Sequence, residues 1–188
     1  MHDIAPFYRW EKYYVAAEDK YSPFYGRTYS EYLLNIYGYY IHPLWDEFGS
    51  ETLYVKILYV SYIDKFCIVE LFGEWNDTLY NDIMHLKRNV IDKLLRWGLR
   101  HFILIGENVL NFHGSDDCYY EEWFEQVEEG WIAAINFREF VLEEMSKYNI
   151  DYYINYGGNL NIVEWRTLTP RMLFEQVREK IIRRLGNS

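Results

Sequence analysis

A strand–helix–strand pattern over residues 66–106 constrains the fold of this chain more than any other sequence feature. Residues 66–73 and 101–106 are short apolar runs of the kind that form buried strands. Between them, apolar residues recur at steps of three and four from Leu79 to Leu94, after the natural helix cap Asp77 and before the helix stop Gly98. The spacing therefore predicts a helix over residues 78–97 that connects two parallel strands.

The rest of the chain continues this alternation. Residues 53–60 lie a short turn before 66–73, so the two runs predict an antiparallel hairpin at the start of the sheet. Further elements are predicted downstream: a helix with Tyr120, Trp123, Phe124 and Val127 on one face, a strand at 131–135, a helix opened by a capping box of Asn136 and Glu139, a strand at 152–154, and a helix at about 170–185 opened by Thr169 and Pro170. This order predicts the α/β class, with a mixed, mostly parallel sheet.

The length of 188 residues favours a single domain. We expect an α/β core over residues 53–155, an N-terminal arm over 1–50, and a C-terminal extension over 156–188 that contains the last helix. The arm holds ten of the twenty tyrosines and three of the four prolines, so irregular structure is expected there. Its aromatic side chains either pack over the sheet or form a stacking platform for sugars or bases.

Composition and motifs argue against several functions. The formal net charge of −10 at pH 7 disfavours nucleic acid as a partner, because phosphate backbones bind basic surfaces. Cys67 and Cys118 have neither the spacing of a zinc site nor that of a disulfide framework, so both are expected to be reduced thiols. The start of the chain does not resemble a secretion signal and no apolar stretch is long enough to cross a membrane, which predicts a cytoplasmic protein. No dinucleotide-binding or Walker motif is present, so no cofactor is expected.

Polar residues collect at the predicted carboxyl ends of the strands, where sites form in open α/β sheets. They are Glu74, Asp77, Glu107, Asn108, Asn136 and Asn155, and a loop predicted at 111–118 adds His113, Ser115, Asp116 and Asp117. One hypothesis is a metal-assisted hydrolase, with Glu74, Asp77, Glu107 and Asp116 as metal ligands and His113, Asp116 and Glu107 in acid–base roles. The other is that residues 115–117 only cap the next helix.

Charge is strongly segregated in the second half of the chain. Residues 116–129 contain seven acids and no base, whereas residues 166–184 contain six bases against two acids. Such segments suit a docking pair between two subunits or with a separate protein partner, because complementary charge steers association. The alternative is that both are ordinary solvated helix faces.

Residues 53 to about 155 resemble the STAS family of anti-sigma-factor antagonist domains. Residues 69–77 are similar to the family's strand that ends in Gly-Glu-Leu-Asp, and residues 99–104 to its second strand. Residues 113–117 stand where the family has an Asp-Ser-Ser-Gly turn with a phosphorylated serine. Ser115 matches the first serine of that turn and Asp116 the second, so the usual phosphoacceptor is absent.

The resemblance implies a STAS-like topology and a bacterial, non-enzymatic module that binds a protein partner, a second copy of itself or a small ligand, in a regulatory role. In this family partners dock against the turn and the helix that follows it. The contact residues implied here are Phe112, His113, Ser115, Asp116, Asp117, Tyr120, Glu121 and Trp123. The metal-assisted hydrolase remains the alternative.

Overall fold

The computed structural model describes residues 4–29, 34–36 and 39–185. The strands are β1 (Leu34–Ile36), β2 (Tyr39–Ile41), β3 (Leu53–Ser61), β4 (Phe66–Asn76), β5 (His101–His113) and β6 (Trp131–Ile135). The helices are α1 (Asp77–Tyr80), α2 (Asp82–Leu86), a π-helical turn (Lys87–Ile91), α3 (Asp92–Arg96), α4 (Cys118–Gln126), α5 (Glu139–Lys147) and α6 (Pro170–Leu185). Short 3₁₀ helices lie at Ile150–Tyr152, Gly158–Asn161 and Trp165–Thr167. No helix in these ranges is long and apolar enough to cross a membrane.

The central sheet has the strand order β3-β4-β5-β6. β3 and β4 form an antiparallel hairpin, and β4, β5 and β6 are parallel to one another. Ten of the eleven residues of β4 are buried, because the strand lies inside the sheet and both its faces are covered. The predicted α/β class, with an antiparallel hairpin at the start of a mostly parallel sheet, is confirmed.

The crossover predicted at 78–97 is present but is not one regular helix. Asn76, rather than Asp77, caps its start, and the Asn76 side chain accepts a hydrogen bond from the Leu79 amide at 3.0 Å. Asn81 has a left-handed backbone, with φ 51°, which ends α1 after four residues. Because Leu79 precedes this break, it lies outside the buried stripe and is 74% exposed. Its predicted place in the core is wrong.

β5 is much longer than predicted, so Glu107, Asn108 and Asn111 lie within the strand and not in a loop. Their polar side chains are satisfied by neighbours along the sheet: Asn108 donates to Glu70 at 3.4 Å, and Asn111 to Glu74 at 3.2 Å. The loop that follows shrinks to residues 114–117.

Two further local predictions are wrong. The Asn136 backbone has φ 54° and its side chain bonds Glu107 and the Val163 backbone, so no capping box forms and α5 begins at Glu139 without a side-chain cap. The strand predicted at 152–154 is replaced by the 3₁₀ helix Ile150–Tyr152 and one β-bridge between Ala133 and Asn155. By contrast, α6 begins as predicted, with the Thr169 hydroxyl accepting from the Met172 amide at 3.3 Å.

Each face of the sheet has its own core. Helices α1–α5 cover one face, where Trp75, Leu86 and Trp123 are fully buried. α6 and the arm cover the other face, where Phe66 and Phe174 stack at 4.2 Å. The arm is held there by edge-on contacts among the rings of Phe7, Trp10 and Trp165 at 4.7–5.6 Å. It is held also by a 3.0 Å hydrogen bond from Trp10 Nε1 to the Leu168 carbonyl.

Candidate functional site

The structure brings together one part of the polar cluster predicted at the carboxyl edge of the sheet. Glu74 at the end of β4 and His113 at the end of β5 meet, with Nε2 of His113 3.0 Å from Oε1 of Glu74. Asn111 donates to the same Glu74 oxygen and lies 2.9 Å from Nε2 of His113. The His113 ring is largely exposed. The three side chains form a polar group at the protein surface.

The loop after β5 is held in place by contacts on both sides. The Thr78 hydroxyl donates to the Gly114 carbonyl at 2.6 Å, which ties α1 to the loop. On the other side, the Tyr148 ring lies so close to Gly114 that an added Cβ would overlap it. Residues 114–117 therefore form a fixed turn between α1 and α5.

The predicted capping role of this turn is fulfilled only by Asp116. Its Oδ1 accepts a hydrogen bond from the Cys118 amide at 3.3 Å. Asp117 occupies the capping position itself, but its side chain makes no cap bond and instead accepts from the Tyr153 hydroxyl at 2.9 Å. Ser115 is half-buried in the turn.

Asp77 lies beneath the turn and is buried. Its carboxylate accepts hydrogen bonds from the Tyr120 hydroxyl at 2.6 Å, Trp75 Nε1 at 3.0 Å and the Ile83 amide at 2.8 Å. Burial raises the pKa of Asp77 to about 6, and the three hydrogen bonds work against that rise. With its oxygens occupied by protein donors, Asp77 acts as a structural anchor.

Three of the predicted contact residues lie in the core. Phe112, Tyr120 and Trp123 are buried, and the Trp123 ring packs edge-on against Phe102 at 5.3 Å. Their side chains point from β5 and α4 into the protein interior, so no partner can reach them in this structure. The remaining predicted contact residues reach the surface: His113, Asp116 and Glu121 are exposed, and Ser115 and Asp117 are half-buried.

The acidic helix α4 is neutralised in part by two bases of the π-helical turn. Lys87 is fully buried and its ammonium donates to Asp92, Glu122 and Gln126. Arg88 donates one hydrogen bond to each carboxylate oxygen of Glu122, both at 2.6 Å. The hydrogen bonds from Arg88, with the smaller effect of Lys87, lower the pKa of Glu122 to about 2. The sequence signal for this contact was Lys87, a base that lies between the apolar residues of the predicted crossover helix.

Glu107 lies far from the turn, because six residues of extended strand separate it from His113, which is about 20 Å. It accepts from Asn136 at 2.9 Å and from Trp165 Nε1 at 2.8 Å, and it pairs with Arg166. Burial acts to raise the pKa of Glu107, but these hydrogen bonds lower it overall. The predicted catalytic set of His113, Asp116 and Glu107 is therefore not assembled.

The predicted metal ligands are also dispersed. Glu74 contacts His113, Asp77 is enclosed by Trp75 and Tyr120, and Asp116 and Glu107 lie in separate places. Across residues 4–29, 34–36 and 39–185, no group of three His, Cys, Asp or Glu side chains is placed to hold a metal ion.

The buried carboxyl of Glu70, in the middle of β4, was also missed in the sequence analysis. It is 2% exposed and accepts hydrogen bonds from the Phe7 amide at 2.9 Å and from Asn108 at 3.4 Å. Burial raises the pKa of Glu70 to about 7. The signal was present as a lone acid in an apolar run, since such a residue needs a buried partner.

Comparison with known proteins finds likenesses among solved structures. No protein-family model matches the chain, and no curated protein matches it. A solved structure of the anti-sigma factor antagonist SpoIIAA in its unphosphorylated form aligns with 66% of this chain and 96% of its own, at 12% identity and a TM-score of 0.46. At this identity and TM-score, the partners of this chain do not follow from it.

Proposed function

We propose that this protein is a non-enzymatic protein-interaction module that binds its partner through the carboxyl edge of the sheet. The proposed contact area, called here the turn surface, consists of Thr78, Leu79, His113, Ser115, Asp116 and Glu121. The observation that carries the proposal is Leu79, an aliphatic side chain that is 74% exposed beside a charged turn. Apolar side chains with a polar rim are typical of interaction sites.

The backbone around Leu79 holds this side chain outward. The Asn76 cap fixes the first turn of α1, and the Thr78 hydroxyl joins α1 to the Gly114 carbonyl. A partner that covers Leu79 would therefore meet a surface that needs no reordering, which lowers the entropic cost of binding.

The charge of the turn surface indicates the chemistry of the partner. Asp116 and Glu121 are exposed, and in the described part of the chain neither forms an ion pair with a basic side chain. The helix that carries Glu121 is anchored by the buried side chains of Tyr120 and Trp123. A basic surface with an apolar centre would complement this arrangement.

The contacts of the turn support binding in preference to hydrolysis. His113 contacts Glu74 and Asn111, whereas Glu107 pairs with Arg166 about 20 Å away along β5. A metal-assisted hydrolase requires its carboxylate and histidine side chains to converge on one ion. Binding of a protein partner is the function that the exposed residues support best, and we propose that it serves a regulatory role in the cytoplasm.

Affinity capture from an extract of the source cells tests the proposal. Leu79→Asp places a charge at the centre of the turn surface and should abolish capture of the protein that the wild type retains. Asp116→Lys/Glu121→Lys should weaken capture of that same protein and reduce its salt sensitivity, because rim charges mainly affect association rate.

Ile63→Asp is the matched control, since Ile63 is 93% exposed in the turn between β3 and β4, at the opposite end of the sheet. It should retain the partner. If Leu79→Asp captures the same proteins as the wild type and the control, the turn surface is not a binding site.

A further inference from the structure

A groove of about 830 Å³ opens at the amino-terminal end of the parallel strands, away from the turn surface. His101 and Trp131, the first residues of β5 and β6, lie in this groove together with Phe174 of α6. The rings of Trp131 and Phe174 stack at 5.6 Å. The groove therefore has an aromatic floor.

The two lips of the groove come from opposite faces of the sheet. The acidic lip is Glu128 and Glu129, which directly follow α4, and the basic lip is Arg171 and Arg178 of α6. α4 packs in one core and α6 in the other, so the two helices flank β6 from either side. β6 is the edge strand, and in the described part of the chain its outer side pairs only with Asn155.

Apolar side chains project into the groove without being covered. Tyr152 is 74% exposed, Ile182 55% and Phe124 44%, and all three line the groove. Three large exposed apolar residues around one concave surface are a feature of protein interfaces.

The charges of the groove complement those of α6. Four carboxylates and two guanidinium groups line the groove. Burial, with Arg178 and Lys65, lowers the pKa of His101 and so favours its neutral form. The groove is thus net negative, whereas α6 has five basic and two acidic residues and is net positive.

We propose that the groove is a homodimer interface in which the α6 helix of each copy lies against the acidic lip of the other. A two-fold axis parallel to the groove turns the second copy so that each acidic lip faces a basic lip. An isologous interface of this kind is self-complementary and closes after two copies. The proposal concerns a different surface from the turn surface, so either can fail without the other.

The two arginines of the basic lip can exchange their present ion pairs for carboxylates of a second copy at little cost. Arg178 lies 3.3 Å from Glu175 and Arg171 4.0 Å from Asp64, and all four side chains are substantially exposed. Exposed ion pairs contribute about 0–1 kcal/mol, so little is lost when these guanidinium groups turn to carboxylates of a second copy.

Sedimentation equilibrium of two charge-reversed chains tests the proposal. Glu128→Lys/Glu129→Lys makes both lips basic, and Arg171→Glu/Arg178→Glu makes both lips acidic. Each variant alone should associate at least about tenfold more weakly than the wild type, because like charges face each other. An equimolar mixture of the two should regain the dimer, since every lip then faces its opposite.

Tyr152→Ala tests the apolar centre and should weaken the dimer in the same way. Glu139→Lys/Glu143→Lys on α5 is the matched control, with the same charge change on exposed residues outside the groove. Thermal melting of each variant verifies the fold. A wild type that is monomeric at every concentration, a dimer that both reversals leave intact, or a mixture that stays monomeric would overturn the proposal. A dimer that persists in Leu79→Asp separates this interface from the turn surface.

Discussion

The two faces of the sheet are closed in different ways. The face beneath α1–α5 is covered mainly by segments that adjoin the strands they pack on, together with Ala16 and Phe24 of the arm. It buries Asp77 with three hydrogen-bond donors. The opposite face is covered by the arm and α6, and it buries Glu70 with two donors, one of them the Phe7 amide 63 residues away. Burial raises the pKa of both carboxyls. The first face thus depends mainly on local structure, and the second depends mainly on contacts distant in sequence.

The largest effect is expected from a charge in the helix-covered core. Leu86 is fully buried, so Leu86→Asp places an unpaired carboxylate there at a cost of several kcal/mol, a large part of the roughly 5–15 kcal/mol that stabilises a domain. We expect an insoluble protein. Leu79→Asp is the control in the same crossover and should shift stability by only about 0.5 kcal/mol, because Leu79 is exposed. If the two variants melt at the same temperature, the helix face that carries Leu86 is not in the core.

An intermediate effect is expected from Asp77. Asp77→Ala leaves the hydroxyl of Tyr120, the indole of Trp75 and the Ile83 amide without an acceptor, and should cost about 3 kcal/mol or more. Asp77→Asn keeps one acceptor oxygen and the same shape, so we expect about 1 kcal/mol. Urea unfolding measures both. Equal losses in the two variants would mean that the three donors do not depend on Asp77.

A further effect of comparable size is expected from Glu70, and it depends on pH. Its pKa is about 7 in the folded protein, above the ordinary 4.5, so its contribution to stability is complete below pH 4.5 and is lost as the pH rises to about 7. The loss is on the order of 3 kcal/mol. Glu70→Gln cannot ionise, so its stability should exceed that of the wild type increasingly over this range.

Asp77→Asn distinguishes the two faces in the same titration. It should reduce the pH dependence between about 3.8 and 6, the ordinary and folded pKa values of Asp77, and leave the range from 6 to 7 unchanged. If Glu70→Gln leaves the profile of the wild type unaltered, Glu70 is not held away from water by the arm.

The sequence predicted the elements that depend on local pattern. β4, the crossover and α6 follow apolar periodicity and caps that lie within a few residues of one another. The second half of β5 was missed, because Glu107, Asn108 and Asn111 read as polar loop residues until their partners on other segments are known. The capping box predicted at Asn136 was wrong for the same reason, because the side-chain amide of Asn136 bonds the backbone of Val163, 27 residues away.

The site was predicted less well than the fold. Glu74 and His113 meet because β4 and β5 are adjacent parallel strands, although the sequence predicted only a looser polar cluster there. Burial of Tyr120 and Trp123 follows from the same apolar face that predicted α4, and this face was interpreted as a contact surface. Phe112 is buried as part of the unpredicted second half of β5. Glu107 was misplaced because the end of β5 was misplaced by seven residues, from 106 to 113.

The hydrogen bond between Trp10 and Leu168 spans 158 residues, which determines when the arm can reach its final position during synthesis. Although the ribosome makes the arm first, its ring partner Trp165 emerges much later. Strands β3–β6 can already pair by then, while Ile68, Ile103 and Ile135 on the uncovered face still meet water. A nascent chain paused between residues 135 and 165 is consequently the form of this protein most exposed to aggregation and most in need of a chaperone.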